Sequence, residues 1–81
     1  MAYFVYIIQC SDATLYTGIA TDVARRLEEH NTSPKGAKYT RVRRPVSLVY
    51  TEKLEDRSSA CKREYVIKQL TREKKLELIN A

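Results

Sequence analysis

The chain is short of the residues from which phosphate loops, metal clusters and disulfide frames are made. Its 81 residues include two glycines, two cysteines and one histidine. Gly18 and Gly36 alone cannot form a glycine-rich loop that cradles phosphates. A single histidine, His30, cannot support a multi-histidine metal site. Cys10 and Cys61 lie far apart, with no CxxC pair or His/Cys cluster beside them and no local base. That pattern argues against a disulfide-framed secreted module or a zinc site, and for two small reduced apolar residues. The apolar run from Ala2 to Ile8 is too short to cross a membrane and lacks the positive flank of a signal peptide. The expectation is a soluble cytoplasmic protein that does not engage a membrane, with residues 1–81 forming one domain.

Positive charge is present and concentrated. Fifteen Lys and Arg face ten Asp and Glu, for a net charge of +5. Lys35, Lys38, Arg41, Arg43 and Arg44 fall in one ten-residue stretch without an acidic residue, and the rest of the chain balances. Such a stretch is either a solvated loop or a phosphate-binding patch. Five contacts to duplex phosphates would give a salt slope of about −4 to −5.

Hydrophobic patterning predicts a hairpin, a helix, a strand and two more helices. Tyr3–Gln9 and Leu15–Ile19 read as strands around a turn holding Ser11 and Asp12. Symmetry about Ser11 would put Tyr6 opposite Tyr16 with both rings on one face. Gly18 within the second strand signals a close backbone approach or a bulge. Thr21 or Asp22 caps a helix running to about His30, with Val23 and Leu27 inward. Arg26 and His30 flank that stripe, while Arg25 points to solvent. Val46–Thr51 reads as a third strand, with Val46, Leu48 and Tyr50 on one face and Val49 on the other. A helix then starts near Asp56 and runs through Leu70, with Ala60, Cys61, Ile67 and Leu70 inward; Thr71 caps a last helix carrying Leu76 and Ile79.

Glu64 stands out because it falls within that inward arc. A carboxylate there is costly to desolvate unless a cation, such as Arg26, or a metal pairs with it. One carboxylate, with water and phosphate oxygens completing the shell, is a common way to hold Mg²⁺. Arg26 carries a planar charged fork suited to a phosphate in its transition state, or to a structural ion pair. His30 suits proton transfer, holding a water or a tyrosine hydroxyl, or a helix C-terminal dipole. Tyr6 and Tyr16 are strand aromatics with polar tips. As a base, either would need its pKa of about 10 lowered by nearby cations.

Val5-Tyr6-Ile7 and Tyr16-Thr17-Gly18, in this order, are similar to the two signatures of the GIY-YIG nuclease family. Asp22-Val23-Ala24-Arg25-Arg26-Leu27 with His30-Asn31 resembles its arginine helix, Arg43-Arg44-Pro45 precedes the third strand, and Arg63-Glu64-Tyr65 matches the helix with its glutamate. Val5 stands where the first signature has glycine, and Thr17 where the second has isoleucine. The resemblance is to the small stand-alone bacterial members and runs from Tyr3 to about Leu70. It implies an α+β fold, a three-stranded antiparallel sheet flanked by helices, and metal-dependent hydrolysis of phosphodiester bonds in DNA or RNA. Tyr6 would then be the general base or activate the attacking water, and Tyr16 would help position water or substrate. Arg26 would stabilise phosphate charge, His30 would assist Tyr6 or the proton path, and Glu64 would bind one Mg²⁺ or Mn²⁺. Lys35, Lys38, Tyr39, Arg41, Arg43 and Arg44 are the candidate nucleic-acid contacts. The alternative is a non-catalytic nucleic-acid-binding module of the same fold acting through residues 35–44. A third reading is a subunit that relies on a protein partner for its substrate.

Overall fold

A computed structural model describes residues 2–81. Strand β1 (Tyr3–Gln9) lies at the centre of a three-stranded antiparallel sheet, flanked by β2 (Leu15–Ala20) and β3 (Ser47–Leu54). Helix α1 (Val23–Thr32) and a single turn, α2 (Lys38–Arg41), connect β2 to β3; α3 (Arg57–Gln69) and α4 (Arg72–Ile79) follow. The predicted α+β architecture is the one observed. The stretch read as a basic loop contains the α2 turn, which no hydrophobic period announces.

Strand alternation divides the core in two. Val5 and Ile7 face Ala60 and Ile67 of α3, with Leu78 and Ile79 of α4 closing that side. Tyr6 and Ile8 face the other way, with Cys10 and Val46, against Val23 and Leu27 of α1. The chain thus buries both faces of β1, as its nearly unbroken apolar sequence requires. Side-chain carboxylates or hydroxyls fix the helix starts: Asp22 accepts the Arg25 N–H, Asp56 the Ser59 N–H and Thr71 the Lys74 N–H. No helix among the described residues is long and apolar enough to cross a membrane.

Three local expectations need correction. Tyr6 pairs with Gly18, and Tyr16 pairs with Ile8, so the hairpin is centred on Asp12 rather than Ser11. The turn is longer because Asp12 accepts from both the Thr14 N–H and the Thr14 hydroxyl while Ala13 adopts φ 68°. The displacement is two residues, an even number, so both tyrosines stay on one face. In β3, Ile7 pairs with Tyr50 and Ile8 with Leu48, which leaves Val49 in a bulge. Val49 and Tyr50 therefore both turn toward α3, and Tyr50 parts from Leu48. Cys61 is exposed, because the stripe facing the sheet is set by Ala60 and Ile67 and Cys61 lies one residue round from it.

Candidate active site

Tyr6 leaves β1 toward α1 and passes over the neighbouring strand. A Cβ on residue 18 would lie 2.5 Å from the Tyr6 hydroxyl oxygen and 2.6 Å from Cζ, so the ring occupies the space of the missing side chain. The hydroxyl lies 2.8 Å from Nε2 of His30, which is fully buried in the last turns of α1. His30 also meets Tyr16 edge to face, with ring centroids 5.3 Å apart. Tyr16 in turn stacks on Tyr39 at 5.9 Å, and the Arg43 guanidinium covers the Tyr39 ring at 3.9 Å. A column of planar groups thus joins α2 to the catalytic candidates on β1, β2 and α1.

Arg26 lies one turn before His30 and is half-buried. Its Nη1 donates to Glu29 Oε1 at 3.0 Å and to the Lys35 carbonyl at 2.8 Å. Its ion pair is therefore with Glu29, and Glu64 pairs with Lys68 at 3.5 Å. Glu64 comes from α3, on the other side of the sheet, and its side chain is partly buried. Its charge and that of Arg26 nevertheless both reach the Tyr6 hydroxyl. On the α3 side of β2, the Thr17 hydroxyl is buried with no hydrogen-bond partner among the described residues.

Burial dominates the acid–base character of the pair at the centre. It pushes the Tyr6 hydroxyl up to about 12; Arg26 opposes the rise, and Tyr16 and Glu64 add to it. On balance the groups around Tyr6 raise its pKa, where a tyrosine base needs it lowered. Burial, and then the Arg26 charge, pulls His30 down to about 4, so its imidazole is neutral at neutral pH.

Among the described residues no three His, Cys, Asp or Glu side chains are grouped for metal binding. Glu64 stands as a single carboxylate whose charge reaches the Tyr6 hydroxyl. That donor set fits a hard cation that keeps most of its water, and does not fit a zinc-type site.

The six basic-segment candidates divide sharply. Arg44 donates to the carbonyls of His30 at 2.5 Å, Ser33 at 2.6 Å and Glu29 at 3.4 Å, and so closes the C-terminus of α1. Arg43 is held by Asp12 at 3.1 Å and by the Tyr39 carbonyl at 2.9 Å. Tyr39 is partly exposed at the edge of its stack. Lys35, Lys38 and Arg41 are exposed and make no ion pair among the described residues.

The supporting roles of two residues do not follow from the sequence. Asn31 clasps both backbone groups of Val46, donating to its carbonyl at 3.0 Å and accepting its N–H at 2.7 Å, which fixes α1 to the start of β3. Thr40, fully buried, lies 2.8 Å from His30 Nδ1. A threonine among lysines and arginines carries no signal of burial; only the α2 turn puts it inside.

The sequence profile of the GIY-YIG catalytic domain matches residues 2–77. The chain belongs to the GIY-YIG family. Similar relatives of this GIY-YIG domain include a UPF0213 protein of Desulfotalea psychrophila, 64% identical over 80 residues, spanning 99% of this chain and 73% of that protein. A UPF0213 protein of Staphylococcus aureus is 62% identical over 78 residues, spanning 96% of this chain and 94% of its own length. Two solution NMR structures share the fold. One, a UPF0213 protein from Bacillus halodurans, is 46% identical with a TM-score of 0.63, covering 99% of this chain and 84% of the other. The second, from E. faecalis, is 45% identical with a TM-score of 0.67 and the same coverage. The GIY-YIG domain is that of a nuclease family.

Proposed function

We propose that this GIY-YIG domain is a metal-dependent endonuclease that hydrolyses phosphodiester bonds in DNA or RNA. The observation that carries this reading is the convergence on one hydroxyl. Tyr6 crosses Gly18 of β2, bonds to His30 of α1, and feels the charges of Arg26 from α1 and Glu64 from α3.

In this reading Glu64 holds one Mg²⁺ or Mn²⁺, which when bound supplies positive charge to the phosphate and the leaving oxygen. Tyr6 accepts the proton of the attacking water. A hydroxyl held near 12 is a poor source of phenolate at neutral pH, so the base forms only when added positive charge favours its ionised form. Arg26, whose charge already opposes the rise at Tyr6, also turns its fork to the charge that builds on phosphate oxygens. Tyr16, packed on His30, orients water or substrate. Lys35, Lys38 and Arg41 draw in the nucleic-acid backbone, with Tyr39 at the rim.

Arg26→Ala and Glu64→Ala, assayed on a mixed panel of DNA and RNA with and without Mg²⁺, test the reading. Loss of cleavage in both is expected, while retained cleavage in both removes the catalytic assignment. Salt-sensitive binding without turnover, indifferent to Mg²⁺, would identify a binding module instead. Cleavage that appears only with cell extract would point to a protein partner.

A further inference from the structure

We infer that Thr40 is a positioning residue: with the Ala37 N–H it holds His30 as the Nε2–H tautomer, so that His30 donates a hydrogen bond to the Tyr6 oxygen. The consequence for catalysis rests on the nuclease reading above; the tautomer itself does not.

A neutral imidazole has one donor and one acceptor nitrogen, and the partners of one nitrogen decide the role of the other. The decisive partner is the one whose hydrogen cannot turn. The Ala37 N–H points at Nδ1 from 3.4 Å, its direction fixed by the backbone. That contact exists because Gly36 lets the chain run against α1: a Cβ there would stand 2.6 Å from the Glu29 carbonyl oxygen and 2.9 Å from the His30 Cα. Nδ1 facing this donor is the acceptor.

The Thr40 hydroxyl, 2.8 Å from Nδ1, can rotate, and its alternative acceptor is the Ala37 carbonyl at 2.9 Å. That carbonyl already accepts the Thr40 N–H at 3.0 Å and the Arg41 N–H at 3.1 Å. Turning the hydroxyl hydrogen to Nδ1 therefore keeps Nδ1, Thr40 and the Ala37 carbonyl all bonded, whereas turning it to the carbonyl leaves Nδ1 with one long bond. The proton then resides on Nε2, and Nε2–H donates to Tyr6 across 2.8 Å.

This direction assigns His30 a definite part. It does not take the Tyr6 proton, which passes to solvent as the phenolate forms; it stabilises that phenolate, which would then accept a proton from the attacking water. The Tyr6 hydrogen is left to point away from the imidazole. The α2 turn thus combines exposed Lys38 and Arg41 with a buried hydroxyl that sets the proton inventory of the site.

Long-range ¹H–¹⁵N correlation spectra of ¹⁵N-histidine-labelled protein test the tautomer directly, His30 being the only histidine. Nε2 is expected at the protonated position and Nδ1 far downfield as the bare nitrogen. The reverse pattern overturns the inference. In activity, Thr40→Val keeps the shape and removes the hydroxyl, and is expected to lower kcat by about ten- to hundredfold, as loss of an outer-shell partner does. KM should change by no more than about twofold, because ground-state binding is untouched. Thr40→Ser is expected to restore most of kcat and the wild-type spectrum. A Thr40→Val enzyme with wild-type kcat, or a Thr40→Ser enzyme as impaired as Thr40→Val, would refute the role. Wild-type protein that never cleaves would remove the nuclease reading, and the ¹⁵N spectrum would still decide the tautomer.

Discussion

Gly18→Ala is the smallest change that reaches the proposed chemistry. In most strands it would be harmless or helpful, since alanine has less chain entropy to lose and gains roughly 0.5–1 kcal/mol. Here the new methyl carbon would be placed 2.5 Å from the Tyr6 hydroxyl oxygen, 2.6 Å from Cζ and 3.1 Å from Cε2. Carbon atoms pack at about 3.5–4.0 Å, so the ring tip must move by about 1 Å. The ring is not free to do so cheaply. Tyr6 is only 2% exposed and its hydroxyl is tied to His30 at 2.8 Å. Overpacking of this kind costs about 1–3 kcal/mol, which leaves a net destabilisation of roughly 0–2.5 kcal/mol after the entropic gain. Cleavage should suffer more than stability, because a misplacement of about 1 Å in a catalytic group costs on the order of a hundredfold in rate. Urea unfolding and single-turnover cleavage on the same preparation measure the two effects. A Gly18→Ala protein that is both more stable than wild type and fully active would refute the close approach of Tyr6 to β2.

Arg44→Met should lose about 2–3 kcal/mol by urea unfolding, since charged hydrogen bonds to helix-end carbonyls are worth roughly 1.5–3 kcal/mol each and are not additive. Arg41→Met should stay within about 0.5 kcal/mol of wild type and instead weaken nucleic-acid binding; equal effects of the two would remove the distinction. With Lys35, Lys38 and Arg41 as the phosphate contacts, the salt slope for duplex DNA should be near −3 rather than the −4 to −5 of all five basic residues. His30 is held near 4 in the folded chain and titrates near 6.5 when unfolded. The unfolded state therefore binds more protons between those values, so stability falls as pH drops from about 6.5 to 4, by about 3 kcal/mol, and levels off below. That portion of the pH dependence should vanish in His30→Gln, and its persistence would contradict the buried neutral imidazole. Ala13 sits at φ 68°, where an L-residue is strained by about 1 kcal/mol, so Ala13→Gly should raise stability by up to that amount; a loss would show that the turn gains nothing from glycine.

What could be read from the sequence follows from the range of the forces involved. Asp22, Asp56 and Thr71 begin helices through bonds to residues three positions ahead, so local pattern suffices. The inward stripe of Val23 and Leu27, and the meaning of Gly18, were legible for the same reason. The hairpin register was not, because it depends on Ala13 entering a left-handed conformation that alanine rarely adopts. The β3 bulge and the outward turn of Cys61 depend on how distant segments seat against β1 and α3. Charge was the least legible property. Five basic residues in ten look alike in sequence, yet Arg44 closes a helix, Arg43 is held by Asp12 over Tyr39, and the other three are exposed. Thr40 and Ala37 were invisible, since their partner His30 lies ten and seven residues away in sequence.

In the proposed mechanism Glu64 would hold the divalent cation on which the chemistry at Tyr6 depends. Cleavage of a mixed DNA and RNA panel by wild-type protein and by Glu64→Gln, across a Mg²⁺ titration, tests it most directly. Wild type is expected to show saturable Mg²⁺-dependent cleavage, abolished by chelation, and a folded Glu64→Gln none at any Mg²⁺ concentration. Cleavage by Glu64→Gln with an unchanged Mg²⁺ dependence would contradict it.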